Sequence, residues 1–232
     1  MNISYVNLNS VVYGRASAFG VTMKTKLFLS TVICLSLSNP SFADDALSCA
    51  KLLSRSYYTK AVPYCEKECN LNYGRSCYNL GTLYFHGQGV RQNYQQAKTY
   101  SEKACNLNIG EGCAALASLY ANGQGVRQNY QQAKTYSEKA CNLNIGESCS
   151  DLGTLYYKGQ GVRRNYQQTK TYSEKACNLN YGVGCYSLGA LYFNGDGVRR
   201  NKRTAKEYFG KACDLGQQSG CDLYRKLNEQ GY

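Results

Sequence analysis

The chain has 232 residues, 27 Lys and Arg against 15 Asp and Glu, a formal net charge of +12 and 43% apolar residues; that is enough for a packed core and excludes wholesale disorder. A single His argues against a His-rich metal site and against most His-based catalytic triads. Thirteen Cys, 23 Tyr, 23 Gly and no Trp point to a short unit copied several times, and so many Cys imply an oxidising compartment or metal binding.

Residues 1–22 carry one charge, Arg15, and show no helical periodicity. Lys24 and Lys26 then precede an apolar run, 27–37, too short to span a bilayer, and Ser41-Phe42-Ala43 fits a small-x-small cleavage site. The expectation is that Met23 is the start, that 1–22 is an upstream artefact and that 23–43 is a signal peptide. Cys34 follows Val32-Ile33 rather than the small residues a lipoprotein site needs. Cleavage after Ala43 takes Cys34 and leaves 12 Cys, an even number. It also takes Arg15, Lys24 and Lys26, so the net charge falls from +12 to +9. A periplasmic or secreted protein is expected, with no stable membrane insertion after cleavage. Its basic surface would meet anionic envelope polymers or partner proteins rather than nucleic acid.

Beyond a degenerate hairpin at 44–73, the chain repeats with a period of 36. Cys69, Cys105, Cys141, Cys177 and Cys213 are one series, and Cys77, Cys113, Cys149, Cys185 and Cys221 are a second. Residues 88–108 recur unchanged at 124–144, and again at 160–180 with only Arg164 and Thr169 altered. The units are 74–109, 110–145, 146–181 and 182–217, with a capping half unit at 218–232. Each reads as two helices. In the second unit Cys113, Leu116, Ala117, Leu119 and Tyr120 form one apolar stripe. Gly123 suits a left-handed C′ position and Asn129 an N-cap. Tyr130, Ala133, Tyr136, Ala140 and Leu143 form the second stripe. One such hairpin cannot bury its apolar face alone, whereas stacked neighbours can, so the fold class is all-α, an α-solenoid.

The pattern Leu80-Gly81-Thr82-Leu83-Tyr84-Phe85-His86-Gly87-Gln88-Gly89-Val90, followed by Ala97 to Ala104, resembles the Sel1-like repeat, a relative of the tetratricopeptide repeat. The added Cys at a fixed spacing of eight resembles the Helicobacter cysteine-rich proteins, a secreted Sel1-like subfamily. The resemblance runs from about Leu47 to the C-terminus.

Each second-helix Cys lies near the end of one unit, and each first-helix Cys near the start of the next, across a helix–turn–helix corner. The expected disulfides are Cys69–Cys77, Cys105–Cys113, Cys141–Cys149, Cys177–Cys185 and Cys213–Cys221, with Cys49–Cys65 inside the first hairpin. Each short bridge is worth about 2.5 kcal/mol on the chain-entropy model. Zinc sites prefer Cys pairs two to four residues apart, and the one close pair, Cys65 and Cys69, has no His nearby. No metal and no cofactor are expected. Gly87-Gln88-Gly89 precedes a helix, as phosphate loops do, but it follows a helix rather than a strand and reads as a cap and turn.

The resemblance also implies penicillin binding and weak β-lactamase activity, with a β-lactam or peptidoglycan fragment as ligand. Ser48 and Lys51 match Ser-x-x-Lys, the catalytic candidate, but Ser-Asp-Asn is absent and Lys98-Thr99 is followed by Tyr100. Arg91, Arg127, Arg163 and Arg199 recur every 36 residues beside Tyr94, Tyr130 and Tyr166, a candidate ladder for an anionic glycan or acidic protein.

The copies differ where it is informative. The second helices of units one and two are identical, while the first helices diverge along one stripe. The resemblance places that stripe on the concave face. It includes Tyr78, Asn79, Phe85 and His86 in unit one, Asp151, Tyr157 and Lys158 in unit three, and Tyr186 and Phe193 in unit four. Exposed aromatics there suit binding hot spots. The expectation is a scaffold that binds a protein or peptide partner through this face.

Overall fold

The computed structural model describes residues 48–232, and the expected signal segment and its cleavage site lie outside them. The described residues fold into helices joined by short turns, with no strand among them. A short α1 (Cys49–Ser54) and α2 (Tyr58–Asn70) form the first hairpin. Four full units follow: α3 (Gly74–His86) with α4 (Tyr94–Asn106), α5 (Gly110–Asn122) with α6 (Tyr130–Asn142), α7 (Gly146–Lys158) with α8 (Tyr166–Asn178), and α9 (Gly182–Asn194) with α10 (Lys202–Asp214). A single helix, α11 (Gln218–Glu229), covers the last unit.

Local chemistry sets these boundaries. Asn129 Oδ1 accepts hydrogen bonds from the Gln131 and Gln132 N–H groups at 3.0 and 3.1 Å, satisfying two donors that the first turn of α6 leaves open. Asn93, Asn165 and Asn201 do the same for α4, α8 and α10. Gly123 ends α5 with φ 68°, a conformation that side chains disfavour. Two residues on, Gly125 lies so close to the preceding unit that a Cβ would come 2.6 Å from the Tyr94 Cβ. The loop therefore seats one unit against the start of the previous unit's second helix.

Each hairpin closes on small side chains. Gly81 faces Ser101, and Gly153 faces Ser173. In the last unit Phe209 takes the serine's place against Gly189. A stacked tyrosine pair joins the two helices of every full unit: Tyr84 with Tyr100, Tyr120 with Tyr136, Tyr156 with Tyr172, and Tyr192 with Tyr208, with centroids 5.6 to 5.7 Å apart. Such contacts add about 0.5–1.5 kcal/mol each beyond the area they bury. The second-unit stripe of Cys113, Leu116, Ala117 and Leu119 is buried, with Tyr120 half-buried beside it. Leu143 is the exception. It sits just past the end of α6, packs its Cβ toward Gly110 and stays partly exposed.

Six disulfides fasten the array. Cys49–Cys65 links α1 to α2. Cys69–Cys77, Cys105–Cys113, Cys141–Cys149, Cys177–Cys185 and Cys213–Cys221 each join one unit's second helix to the next first helix. First helices also touch one another, α3 with α5 and α7 with α9. No described helix is long and apolar enough to cross a membrane.

Candidate functional site

The first helices are parallel copies, so residues at one register line up across units. A groove of about 720 Å³ opens across α3, α5 and α7. Its shape follows from side-chain size. Unit two contributes Ala114, Ala115, Ser118 and Ala121, which leave a low floor. Tyr78, Phe85 and His86 form the wall from α3, and Asp151, Thr154 and Lys158 the wall from α7.

The groove is charged unevenly. Glu111 and Glu147 line it at the N-terminal ends of α5 and α7, with Asp151 one turn further along α7. Arg75 Nη1 lies 2.6 Å from Glu111 Oε1. Burial opposes the Glu111 charge, but a backbone hydrogen bond and Arg75 outweigh it and hold this carboxyl below its usual range. Asp151 is open to solvent yet hemmed in by the groove, and has no such partner among the described residues. That burial, reinforced by the charge of Glu147, pushes its carboxyl up to about 6. Tyr181 is raised too, by burial and then by Glu147 and Asp151. His86 and Lys158 lie at the opposite ends of their helices.

Of the residues singled out in sequence, Tyr78, Phe85, His86, Asp151 and Lys158 meet around this groove. Asn79 turns to the first hairpin, its Nδ2 3.6 Å from Cys49 Sγ. Tyr157 is exposed, packs edge-on to Tyr166 and donates its hydroxyl to Asp196 Oδ2 at 3.3 Å. Like Tyr78 and Phe85, Tyr186 and Phe193 are half-buried rather than exposed. Both pack on the buried Phe209 ring, which draws the unit-four aromatics into the core. Sequence reasoning missed Glu111 and Glu147, because units two and three carry the same residue there. The signal was present in the full register, which reads Arg75, Glu111, Glu147, Val183.

Arg91, Arg127, Arg163 and Arg199 are all exposed. Their neighbouring tyrosines turn inward instead of alternating with them: Tyr94 packs edge-on to Phe85, and its hydroxyl accepts from Gln92. The arginines that cover rings are the next residues along, Arg164 over Tyr166 and Arg200 over Phe193. Arg199 and Arg200 line a second cavity of about 960 Å³ with Lys170, Lys202 and Arg203. Lys98, Lys134 and Lys170 pair with Glu102, Glu138 and Glu174 one turn on, at 2.8 to 3.2 Å. Ser48 caps α1, its Oγ accepting from the Lys51 N–H at 3.2 Å. Among the described residues no group of three or more His, Cys, Asp or Glu side chains is placed to hold a metal ion.

The Sel1 repeat model matches residues 74–109, 110–145, 146–181 and 182–217, more than half of the chain. A Sel1 repeat protein from Oxalobacter formigenes superposes with a TM-score of 0.74 at 22% identity, over 79% of this chain and 75% of that one. The protein c5321, a protective antigen present in uropathogenic Escherichia coli strains and displaying an SLR fold, superposes with a TM-score of 0.67 at 24% identity, over 75% and 42%. At these identities the likeness is one of fold. HcpC of Helicobacter pylori strain J99, whose name carries the term beta-lactamase, is 43% identical over 44 residues. That stretch is 19% of this chain and 15% of HcpC, so the chain spans only a small part of the curated relative it matches.

Proposed function

Because the chain belongs to the Sel1 repeat family and its disulfides lock the units in one register, we propose that it is a non-catalytic recognition scaffold that binds a protein or peptide segment in the first-helix groove. One observation carries this reading. The second helices α4 and α6 are identical in sequence, whereas α3, α5 and α7 differ at the positions that line the groove. Divergence concentrated on that face, beside unchanged backs, is the pattern that separate tuning of each unit's contacts would leave. The disulfides, and the signal-like segment at 23–43, support a working place in the periplasm or outside the cell, where such bridges persist.

Site-specific photocrosslinking tests it. A photoreactive residue at Ser118 or Thr154, in the groove, is expected to give discrete protein adducts. The same group at Gln131 or Gln167, on the second helices, is expected to give few. Equal adducts from both faces would sink the reading. The rival is a β-lactam or peptidoglycan-fragment binder with slow hydrolase activity. It rests on the short stretch shared with HcpC. Against it, the Ser48 hydroxyl is engaged as a helix cap. We expect no turnover of a chromogenic cephalosporin; turnover lost in Ser48→Ala would establish the rival instead.

A further inference from the structure

We propose that the groove takes a peptide segment that sets a lysine or arginine side chain between Glu147 and Asp151 and an apolar side chain on the small floor of α5. The proposal rests on the groove being the binding face and goes further, to the chemistry of the partner.

The repeat itself displays the interaction. At one register of the first helices stand Arg75, Glu111, Glu147 and Val183. Arg75 reaches one unit along and places its guanidinium 2.6 Å from the Glu111 carboxylate. Among the described residues Glu147 has no equivalent cation. Its neighbour on one side is Glu111, already paired, and on the other Val183, uncharged. Asp151 faces Glu147 and Tyr181, and neither is a cation. A basic side chain from outside would do for Glu147 what Arg75 does for Glu111. With two carboxylates in reach at the open, solvent-facing side of the groove, it would form a charge-assisted pair.

The charge distribution agrees. The first helices α3, α5, α7 and α9 carry Arg75 and Lys158 against Glu111, Glu147 and Asp151, a slight acidic excess. The second helix of each of the four full units carries more Lys and Arg than acid, and the loops after the first helices add six arginines. A basic segment is repelled by most of the surface and attracted at this face. Within the groove, Lys158 and His86 stand at the lip away from Glu147, so the basic side chain has one end to choose. The low floor beside Phe85 and Tyr78 accepts an apolar neighbour, and about 720 Å³ falls within the range of pockets that enclose small ligands.

The test uses phage-displayed random dodecapeptides selected against the oxidised full chain. Two groove-filling variants, Ser118→Trp and Thr154→Trp, serve as controls once circular dichroism shows their helicity intact. The recovered peptides are expected to share a Lys or Arg next to an apolar residue, to lose binding to both Trp variants, and to bind Glu147→Gln/Asp151→Asn at least about 10-fold more weakly. Replacing the basic residue by norleucine should cause a similar loss. Peptides blocked by the Trp variants but lacking a basic residue, or indifferent to the Gln/Asn change, would overturn the charge assignment and leave the groove reading standing. Recovery only of peptides that ignore the Trp variants would overturn both.

Discussion

Asp151 holds its proton more tightly in the folded chain than in the unfolded one, because its carboxyl moves from an ordinary 3.8 to about 6 on folding. Its ionisation therefore opposes the fold. Stability falls as pH rises from about 4 to 6, and the penalty is fully present above that window. Asp151→Asn is expected to raise the Tm at pH 7.5 and to leave it nearly unchanged at pH 3, as read by calorimetry; equal shifts at both pH values would contradict this origin. Phe209 makes a second residue-scale case. A Cβ on Gly189 would come 2.6 Å from its buried ring, whereas a Cβ on Gly153 would lie 3.2 Å from Ser173 Oγ. Ala117 already fills that register opposite Ser137 in unit two. Gly189→Ala is expected to cost about 1–3 kcal/mol by overpacking. Gly153→Ala should be neutral, or stabilising by up to about 1 kcal/mol, since Ala suits a helix interior better than Gly. Urea denaturation of the pair checks the contrast in sign. Residue-level contacts of this kind were hidden in the sequence. That Tyr186 and Phe193 lie against Phe209 depends on one serine having become a phenylalanine across the hairpin, and periodicity does not report pairing between helices.

Helices were the most legible part. Asn129 and Gly123 marked where one helix begins and another ends, because each supplies a local interaction that needs no tertiary partner. The side-chain cap and the left-handed glycine stand at both places. Asn129→Ala is expected to cost about 1 kcal/mol and to speed amide exchange at Gln131 and Gln132 first. Uniform acceleration along α6 would mean that the cap acts on the fold as a whole. Which lip of the groove is acidic was less legible. The differing positions of the first helices gave its walls, but Glu111 and Glu147 looked alike in sequence, and only Arg75 lying against one of them separates a neutralised acid from an unpaired one.

At the scale of the whole array, each unit packs mainly on its immediate neighbours, so stability is close to a sum of unit and junction terms. The bridges lie at junctions, where such an array would otherwise come apart. Replacing Cys141 and Cys149 together by Ser is expected to cost about 2.5 kcal/mol on the chain-entropy model and to raise hydrogen exchange most in α6 and α7, where that bridge sits. The same change at Cys49 and Cys65 should loosen α1 and α2 and leave the central units protected. A uniform rise in exchange after either change would show the chain opening as one block instead.

Five of the six bridges join cysteines eight positions apart in sequence. Each of these ten cysteines thus finds its partner across one helix–turn–helix corner, and such a bridge is able to close as soon as its corner has emerged during synthesis or export, without waiting for distant segments. The pairing rule is also indifferent to how many units there are. Deleting or duplicating one 36-residue copy leaves every remaining cysteine with its correct neighbour. A lineage carrying this chain is free to lengthen or shorten its groove a whole unit at a time while its oxidative folding stays unscrambled.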